Sequence, residues 1–460
     1  MLTSLRLQNF KSWADTGLIR LAPLTVIFGG NSAGKSSLGH LLLTLKQTAL
    51  SADRKRALNL GDASTLIDLG TFADCLHGHD LSRKLSFELA WRLAKPIEVV
   101  DALQPKLRFS GNRLRFEATI AADPKSGQPR TEGFNYHLSN DDREVLAVDV
   151  SPAGSDFAVT AEPLKLMQVR GRPPSKQELE KFYRLPETGL ARYQNAGFLT
   201  DFALETERVL RGIAYLGPLR DAPKRMYQWS GDNPEDVGQK GEFAIAALLS
   251  AEQDGRTLGL RGKKSLQRFS EVVAGQLQTL GVIEKFTIKP ISEGRKDYEA
   301  LVRTSARGAE VKLTDVGVGV SQVLPALVQA FYCAPNATVW MEQPEIHLHP
   351  QVQAELADVF IAAVQAREGR KPRNVQLIIE SHSEHFLNRL QRRIAEEAVT
   401  PEEVAIYFAT RQGDSARLEP LRLNTFGEIE NWPADFFGDD MADLTARTVA
   451  AARRRSGART

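Results

Sequence analysis

Leu24-Thr25-Val26-Ile27-Phe28-Gly29-Gly30-Asn31-Ser32-Ala33-Gly34-Lys35-Ser36-Ser37 decides how the rest of the 460-residue chain is read. Leu24–Phe28 is a buried strand by composition, and Gly29-xxxx-Gly34-Lys35-Ser36 is a P-loop. Glycines let the backbone wrap a phosphate chain so that successive N–H groups point inward, and the dipole of the next helix adds to them. That helix is expected from Ser36 to about Leu50, with Leu38, Leu41, Leu42 and Leu45 on one face. The loop Gly29, Gly30, Asn31, Ser32, Ala33, Gly34, Lys35, Ser36 and Ser37 is therefore a candidate cradle for the phosphates of ATP. Lys35 is expected to reach the β- and γ-phosphates, and Ser36 to place its hydroxyl on Mg²⁺.

Three further motifs follow in order. Val339-Trp340-Met341-Glu342-Gln343-Pro344-Glu345 is an apolar strand delivering a carboxylate, the Walker B pattern, and assigns Glu342 to the Mg²⁺ shell. An apolar strand ending in glutamate is common, so its weight comes from its neighbours. Upstream, Leu313–Gln322 holds Gly317, Gly319 and Ser321 at the start of a helix, a second anion-binding loop whose Ser321 stands 21 residues before Glu342. Ile378-Ile379-Glu380-Ser381-His382 is a strand ending in a histidine. Glu342 stands 307 positions after Lys35. So wide a gap implies a large insertion in the sheet.

Composition bounds the remaining possibilities. Hydrophobic residues are 42% and charged residues 25%, the balance of a globular protein large enough for two or three lobes. Apolar runs such as Leu24–Phe28 and Val375–Ile379 are far too short to span a bilayer, and the chain opens on an alternating strand pattern, so it is expected to be cytoplasmic. Cys75 and Cys333 offer neither a disulfide framework nor a zinc hook. A net charge of +2 argues against a generally basic surface, though a local groove for DNA stays open. The basic cluster Arg453–Arg455 with Arg459 reads as a solvated tail. The histidine pairs His77/His79, His347/His349 and His382/His385 are a metal alternative with no cysteine beside them.

Period-two alternation, clearest in Arg113–Ile120, predicts antiparallel β structure over about 83–160. Residues 174–280 read as mainly helical without a lasting heptad repeat, which excludes a long coiled-coil arm. From 308 onwards, strands at Thr338–Met341, Val375–Ile379 and Val404–Phe408 alternate with helices, the pattern of a mostly parallel, helix-covered sheet.

Leu7-Gln8-Asn9-Phe10-Lys11-Ser12 resembles the opening of SMC, RecF and OLD ATPases. Glu342-Gln343-Pro344-Glu345-Ile346-His347-Leu348-His349-Pro350 is similar to their acidic–Pro–Glu–His–Leu–His–Pro box. A narrower likeness is to bacterial predicted AAA-type ATPases with a short uncharacterised C-terminal module. It is carried by Tyr215-Leu216-Gly217-Pro218-Leu219-Arg220, by Asp315–Pro325, and by Phe426–Ile429 through Trp432-Pro433 to Phe436-Phe437.

The resemblance implies an α/β fold: an ABC-type P-loop ATPase head with an antiparallel β lobe and a largely helical insertion between the P-loop and the signature loop. The corresponding divisions are 1–160 (P-loop half and β lobe), 161–305 (insertion), 306–412 (signature, Walker B and switch histidine) and 413–460 (C-terminal module and tail). It implies that Lys11 joins the nucleotide contacts and that His382 hydrogen-bonds the γ-phosphate. It further implies a homodimer or higher oligomer in which Gly317, Gly319 and Ser321 of one copy cap the ATP of the other.

About 50 residues follow the last core strand, too few for the nuclease domain that OLD proteins carry, so an effector (a nuclease or toxin) is expected as a separate protein. Defence-associated relatives such as the Septu ATPase imply an antiphage role; a RecF-like, DNA-binding repair ATPase is the alternative. One departure bears on rate. Many relatives place glutamate after the Walker B acid, but Gln343 stands here, and an amide orients water without accepting its proton. Slow hydrolysis is expected, with Glu345, His349 or His382 as substitute bases. No clear Q-loop is present: Gln47 is a candidate by type and reads better as a solvated helix residue. Arg220 and Arg225 are candidates for phosphate contact or for surface ion pairs.

Overall fold

The computed structural model describes residues 1–153, 156–169, 178–263, 265–292 and 294–433. Phe436, Phe437, Arg453–Arg455 and Arg459 lie outside the described residues. The fold is α/β and is organised by two large sheets. The first is antiparallel and eight-stranded: it contains Leu2–Phe10 and the consecutive strands Leu85–Val100, Arg108–Ala122, Pro129–Asn140, Arg143–Ala153 and Asp156–Glu162. Its alternation matches the sequence: Leu114, Phe116, Ala118 and Ile120 are buried on one face, against Phe134 and Tyr136, while the residues between them are half-buried.

The second sheet has six strands in the order Ile213–Leu216, Thr338–Glu342, Gln376–Glu380, Leu24–Gly29, Val404–Gln412 and Ser415–Leu421. The first five run parallel and the last pairs antiparallel at the edge. Four of them, Ile213–Leu216 (the flanking strand), Thr338–Glu342 (the Walker strand), Gln376–Glu380 (the switch strand) and Leu24–Gly29 (the P-loop strand), are buried at every position. That is why they read as continuous apolar runs without alternation. The order places the switch strand between the P-loop strand and the Walker strand, so three of the motifs end at one edge of the sheet, where ligands of parallel α/β sheets bind.

The stretch 161–305, expected as mostly helical, carries the helices Glu187–Leu190, Phe198–Arg211, Ala244–Gln253 and Phe269–Thr279. It also contributes the flanking strand to the central sheet and the hairpin Lys285–Pro290/Asp297–Arg303 to a smaller one. Among the described residues no helix is long and apolar enough to cross a membrane.

Candidate nucleotide site

The P-loop geometry follows from its glycines. Gly29 has φ 147°, and a Cβ there would sit 2.2 Å from the Ala409 carbonyl oxygen, so no side chain fits. Gly34 caps the helix Lys35–Leu50 at φ 89°, a left-handed conformation that glycine adopts without strain. A Cβ at Gly34 would lie 2.2 Å from Ser12 Oγ, and Trp13 Nε1 donates to the Gly34 carbonyl at 3.1 Å and to Ser37 Oγ at 2.9 Å. The first strand and its turn thus brace the loop from below. Behind the loop, Gly39 allows the helix to rest on the Trp340 indole, which a Cβ would meet at 2.3 Å. Asn31 and Ser32 are exposed on the loop's outer rim, and Ala33 is buried.

Lys35 is 3% exposed, and its Nζ donates to the carbonyls of Gly29 at 3.0 Å and Gly30 at 2.8 Å. Burial lowers its pKa, an effect opposed by Glu380, whose Oε1 lies 3.7 Å away. Ser36 Oγ donates to Glu380 Oε2 at 2.8 Å. Glu342 is the register partner of Glu380 on the next strand, so both carboxylates leave the same face of the sheet. Burial, and secondly the Glu380 carboxylate, push Glu342 up to about 7; burial also raises Glu380. Tyr215 donates its hydroxyl to Glu342 Oε1 at 3.2 Å, and Arg220 Nη2 donates to the Glu342 carbonyl at 3.2 Å. Glu345 Oε1 accepts from Ser381 Oγ at 2.8 Å and from the His382 N–H at 2.7 Å, which ties the Walker loop to the switch loop. The half-buried His382 has its pKa lowered by burial and by the charge of Lys35. Gln343 sits at φ 45° and donates its N–H to the Glu380 carbonyl at 2.8 Å.

The structure therefore gathers Lys35, Ser36, Glu342, Gln343 and His382 at one end of the sheet. The Lys11 backbone donates to the Cys75 carbonyl at 2.7 Å at φ 49°; its charge is the second cause, after burial, that takes His40 down to about 4. Of the signature residues, Gly319 lies beside the loop after the Walker strand, where a Cβ would meet Leu348 at 3.5 Å and the His347 carbonyl at 3.7 Å. Gly317 caps the helix Val318–Tyr332 and is exposed, as is Val318 at 60%. Ser321 is buried, its Oγ donates to the Val318 carbonyl at 2.8 Å, and with Leu313, Leu324 and Pro325 it lines a separate hollow. The loop thus exposes Gly317 and Val318 rather than the serine.

Two expectations need correction. Gln47 is not solvated: it is buried, and its Nε2 donates to the Asn59 carbonyl at 2.7 Å because the loop around 59–67 covers that helix face. Arg220 is no surface ion pair: burial lowers its pKa to about 10, and its Nε and Nη1 are buried without a partner. Arg225 does form a surface pair, with Asp315 at 3.1 Å. Sequence reasoning gave no site role to Glu380, Tyr215 or Trp13. Only Glu380 carried a signal, for it ends an apolar strand just as Glu342 does.

These residues fit a magnesium nucleotide. Ser36, Glu380 and Glu342 supply oxygen donors, the type that Mg²⁺ selects, while Lys35 and the orphaned nitrogens of Arg220 supply cations for phosphate oxygens. Among the described residues no group of three or more His, Cys, Asp and Glu side chains could hold a metal ion by itself. Phosphate oxygens and water would have to complete the shell.

The elevated Glu342 pKa has a measurable consequence. Its ordinary value is 4.5 and its folded value about 7, so between these pH values the folded state binds more protons than the unfolded state. Stability without nucleotide therefore falls as pH rises through that window, by on the order of 3 kcal/mol from this group. The Tm of the wild type should drop more steeply from about pH 5 to about pH 8 than that of Glu342→Gln, in which the titration is absent. Parallel slopes would show that Glu342 titrates normally.

Residues 246–387 match the family model described as "AAA ATPase domain", and residues 399–446 match "Protein of unknown function (DUF3696)". No curated protein sequence matches the chain. Among solved structures, the chain is similar to an SMC head bound to the C-winged helix domain of ScpA, at 11% identity and TM-score 0.46, covering 92% of this chain and 98% of that one. It is similar to the SMC head domain from Thermotoga maritima at 11% identity and TM-score 0.40, covering 92% and 99%. It is also similar to the Smc head with an extended coiled coil, bound to the C-terminal domain of ScpA, from Pyrococcus furiosus, at 10% identity and TM-score 0.40, covering 92% and 96%. The signature loop, Walker strand and switch histidine lie inside the matched ATPase segment and the P-loop lies ahead of it: the chain carries an ATPase domain with a nucleotide site.

Proposed function

We propose that this chain is a slow Mg-ATPase that acts as a dimeric switch, closing on bound ATP and reopening after hydrolysis to control a separate effector protein. The observation that carries the reading is the meeting of Lys35 and Ser36 with Glu380 and, one strand on, Glu342. A bound Mg²⁺, held by Ser36 and a carboxylate, would neutralise charge on the phosphate oxygens. Lys35 binds the same oxygens once it leaves the Gly29 and Gly30 carbonyls, and Arg220 has nitrogens free of protein partners to turn toward them. His382 feels the charge of Lys35, its backbone N–H is held by Glu345, and its ring would hydrogen-bond the terminal phosphate. Gln343 can orient a water but cannot take its proton, which supports a low rate.

The dimer is supported by the exposed Gly317 and Val318 at a helix N-terminus with no side-chain cap, a surface suited to a phosphate held by another copy. The narrower resemblance, at Tyr215–Arg220, Asp315–Pro325 and Phe426–Phe437, favours an effector such as a nuclease in antiphage defence. Light scattering of the purified chain with and without Mg-ATP tests the switch. A dimer that forms with Mg-ATP and turns over well below about 10 s⁻¹ is expected. A monomer in both states, or turnover above that figure, overturns it. Salt-sensitive binding of bare duplex DNA would move the reading to a repair clamp.

A further inference from the structure

We infer that Glu380, rather than the Walker acid Glu342, is the carboxylate that ligates the divalent cation beside Ser36; the inference rests on the ATP-site reading above. The apolar-strand-plus-acid pattern occurs twice, at Val339–Glu342 and at Leu377–Glu380, and pattern alone does not choose between them. Strand order does. The switch strand pairs directly with the P-loop strand, Glu380 opposite Ile27, whereas Glu342 lies one strand further away. Neighbouring strands are about 4.8 Å apart, so Glu342 starts about 10 Å from the P-loop strand.

The side chains follow the same division. Glu380 is 4% exposed and contacts the side chains of both Ser36 and Lys35, accepting from Ser36 Oγ at 2.8 Å and lying 3.7 Å from Lys35 Nζ. Glu342 is committed elsewhere, to the Tyr215 hydroxyl. Two oxygens bound at adjacent corners of a Mg²⁺ octahedron stand about 2.9 Å apart, given metal–oxygen distances of about 2.0–2.1 Å. Ser36 Oγ and Glu380 Oε2 already have that separation. A cation bound there would be held by these two oxygens in place of their hydrogen bond. Glu342, fixed by Tyr215, is left to orient water around the cation.

The test uses full-length protein saturated with ATPγS and titrated with Mn²⁺, free Mn²⁺ being read by electron paramagnetic resonance. Glu380→Gln should weaken Mn²⁺ binding at least about tenfold and Glu342→Gln less than about threefold. Glu380→Asp, which keeps the charge, should retain more affinity than Glu380→Gln. Equal or greater loss in Glu342→Gln, or a reversed order of the two Glu380 variants, overturns the assignment. Binding of a fluorescent ATP analogue in EDTA reports the nucleotide site alone: it should survive in Glu380→Gln, and its absence in the wild type would remove the ATP-site reading instead.

Discussion

Lys35→Met should leave a folded protein that no longer retains ATP. Lys35 is 3% exposed, and burial disfavours its charge, so the native chain carries a desolvation cost that a methionine of similar length does not. The hydrogen bonds lost are those to the Gly29 and Gly30 carbonyls, and Glu380, left with Ser36 alone, can take up a proton rather than remain a buried, unpaired charge. Folding stability should therefore change by less than about 1.5 kcal/mol. Nucleotide binding has no such compensation. Charge-assisted hydrogen bonds contribute about 1.5–3 kcal/mol each, and two of them to the phosphate chain correspond to a loss of at least about a hundredfold in Kd. Isothermal titration with Mg-ATP, paired with a urea unfolding curve, separates the two effects. Unchanged ATP affinity would mean that Gly29–Ser36 is a loop of P-loop sequence with no phosphate in it.

How much of this was legible in sequence depends on the range of the interaction. The P-loop is local: Gly29 has no room for a Cβ and Gly34 is left-handed, so the backbone itself demands those residues and the motif is read directly. The parallel strands were equally legible, since burial on both faces makes each a short apolar run between helices. The antiparallel lobe declared itself through alternation along Arg113–Ile120, although the strand Leu2–Phe10 that joins it is distant in sequence.

Other features had no local signature. Tyr215 and Arg220 approach Glu342 across more than a hundred residues, and nothing in a short window encodes such a contact. Gln47 was misread because helical periodicity describes the helix and not the loop around 59–67 that later covers it. Glu380 is the instructive case. Its apolar run continues to His382, so the pattern points to the histidine, and only strand order shows the glutamate to be the acid nearer the phosphate loop.

The same arrangement bears on the rate, through Gln343→Glu. Gln343 follows the Walker acid in a left-handed conformation and is half-buried, with its backbone tied to the switch strand. A glutamate in its place fills the same volume and adds a group able to accept the proton of an attacking water. General-base help is worth about 10²–10⁴-fold, but the new carboxylate would join Glu342, Glu345 and Glu380, all raised in pKa by burial, and part of that gain would be lost to its own protonation. An increase of at least about tenfold in kcat near pH 8, larger than the increase near pH 6, is therefore expected, with ATP affinity little changed. The pH comparison carries the argument, because a base that works only when ionised must gain as protons are withdrawn, whereas a merely looser loop would not. If the rate stays at the wild-type level at both pH values, the missing general base is not what limits turnover, and the site is better described as a nucleotide-dependent scaffold whose dimer is opened by something other than hydrolysis.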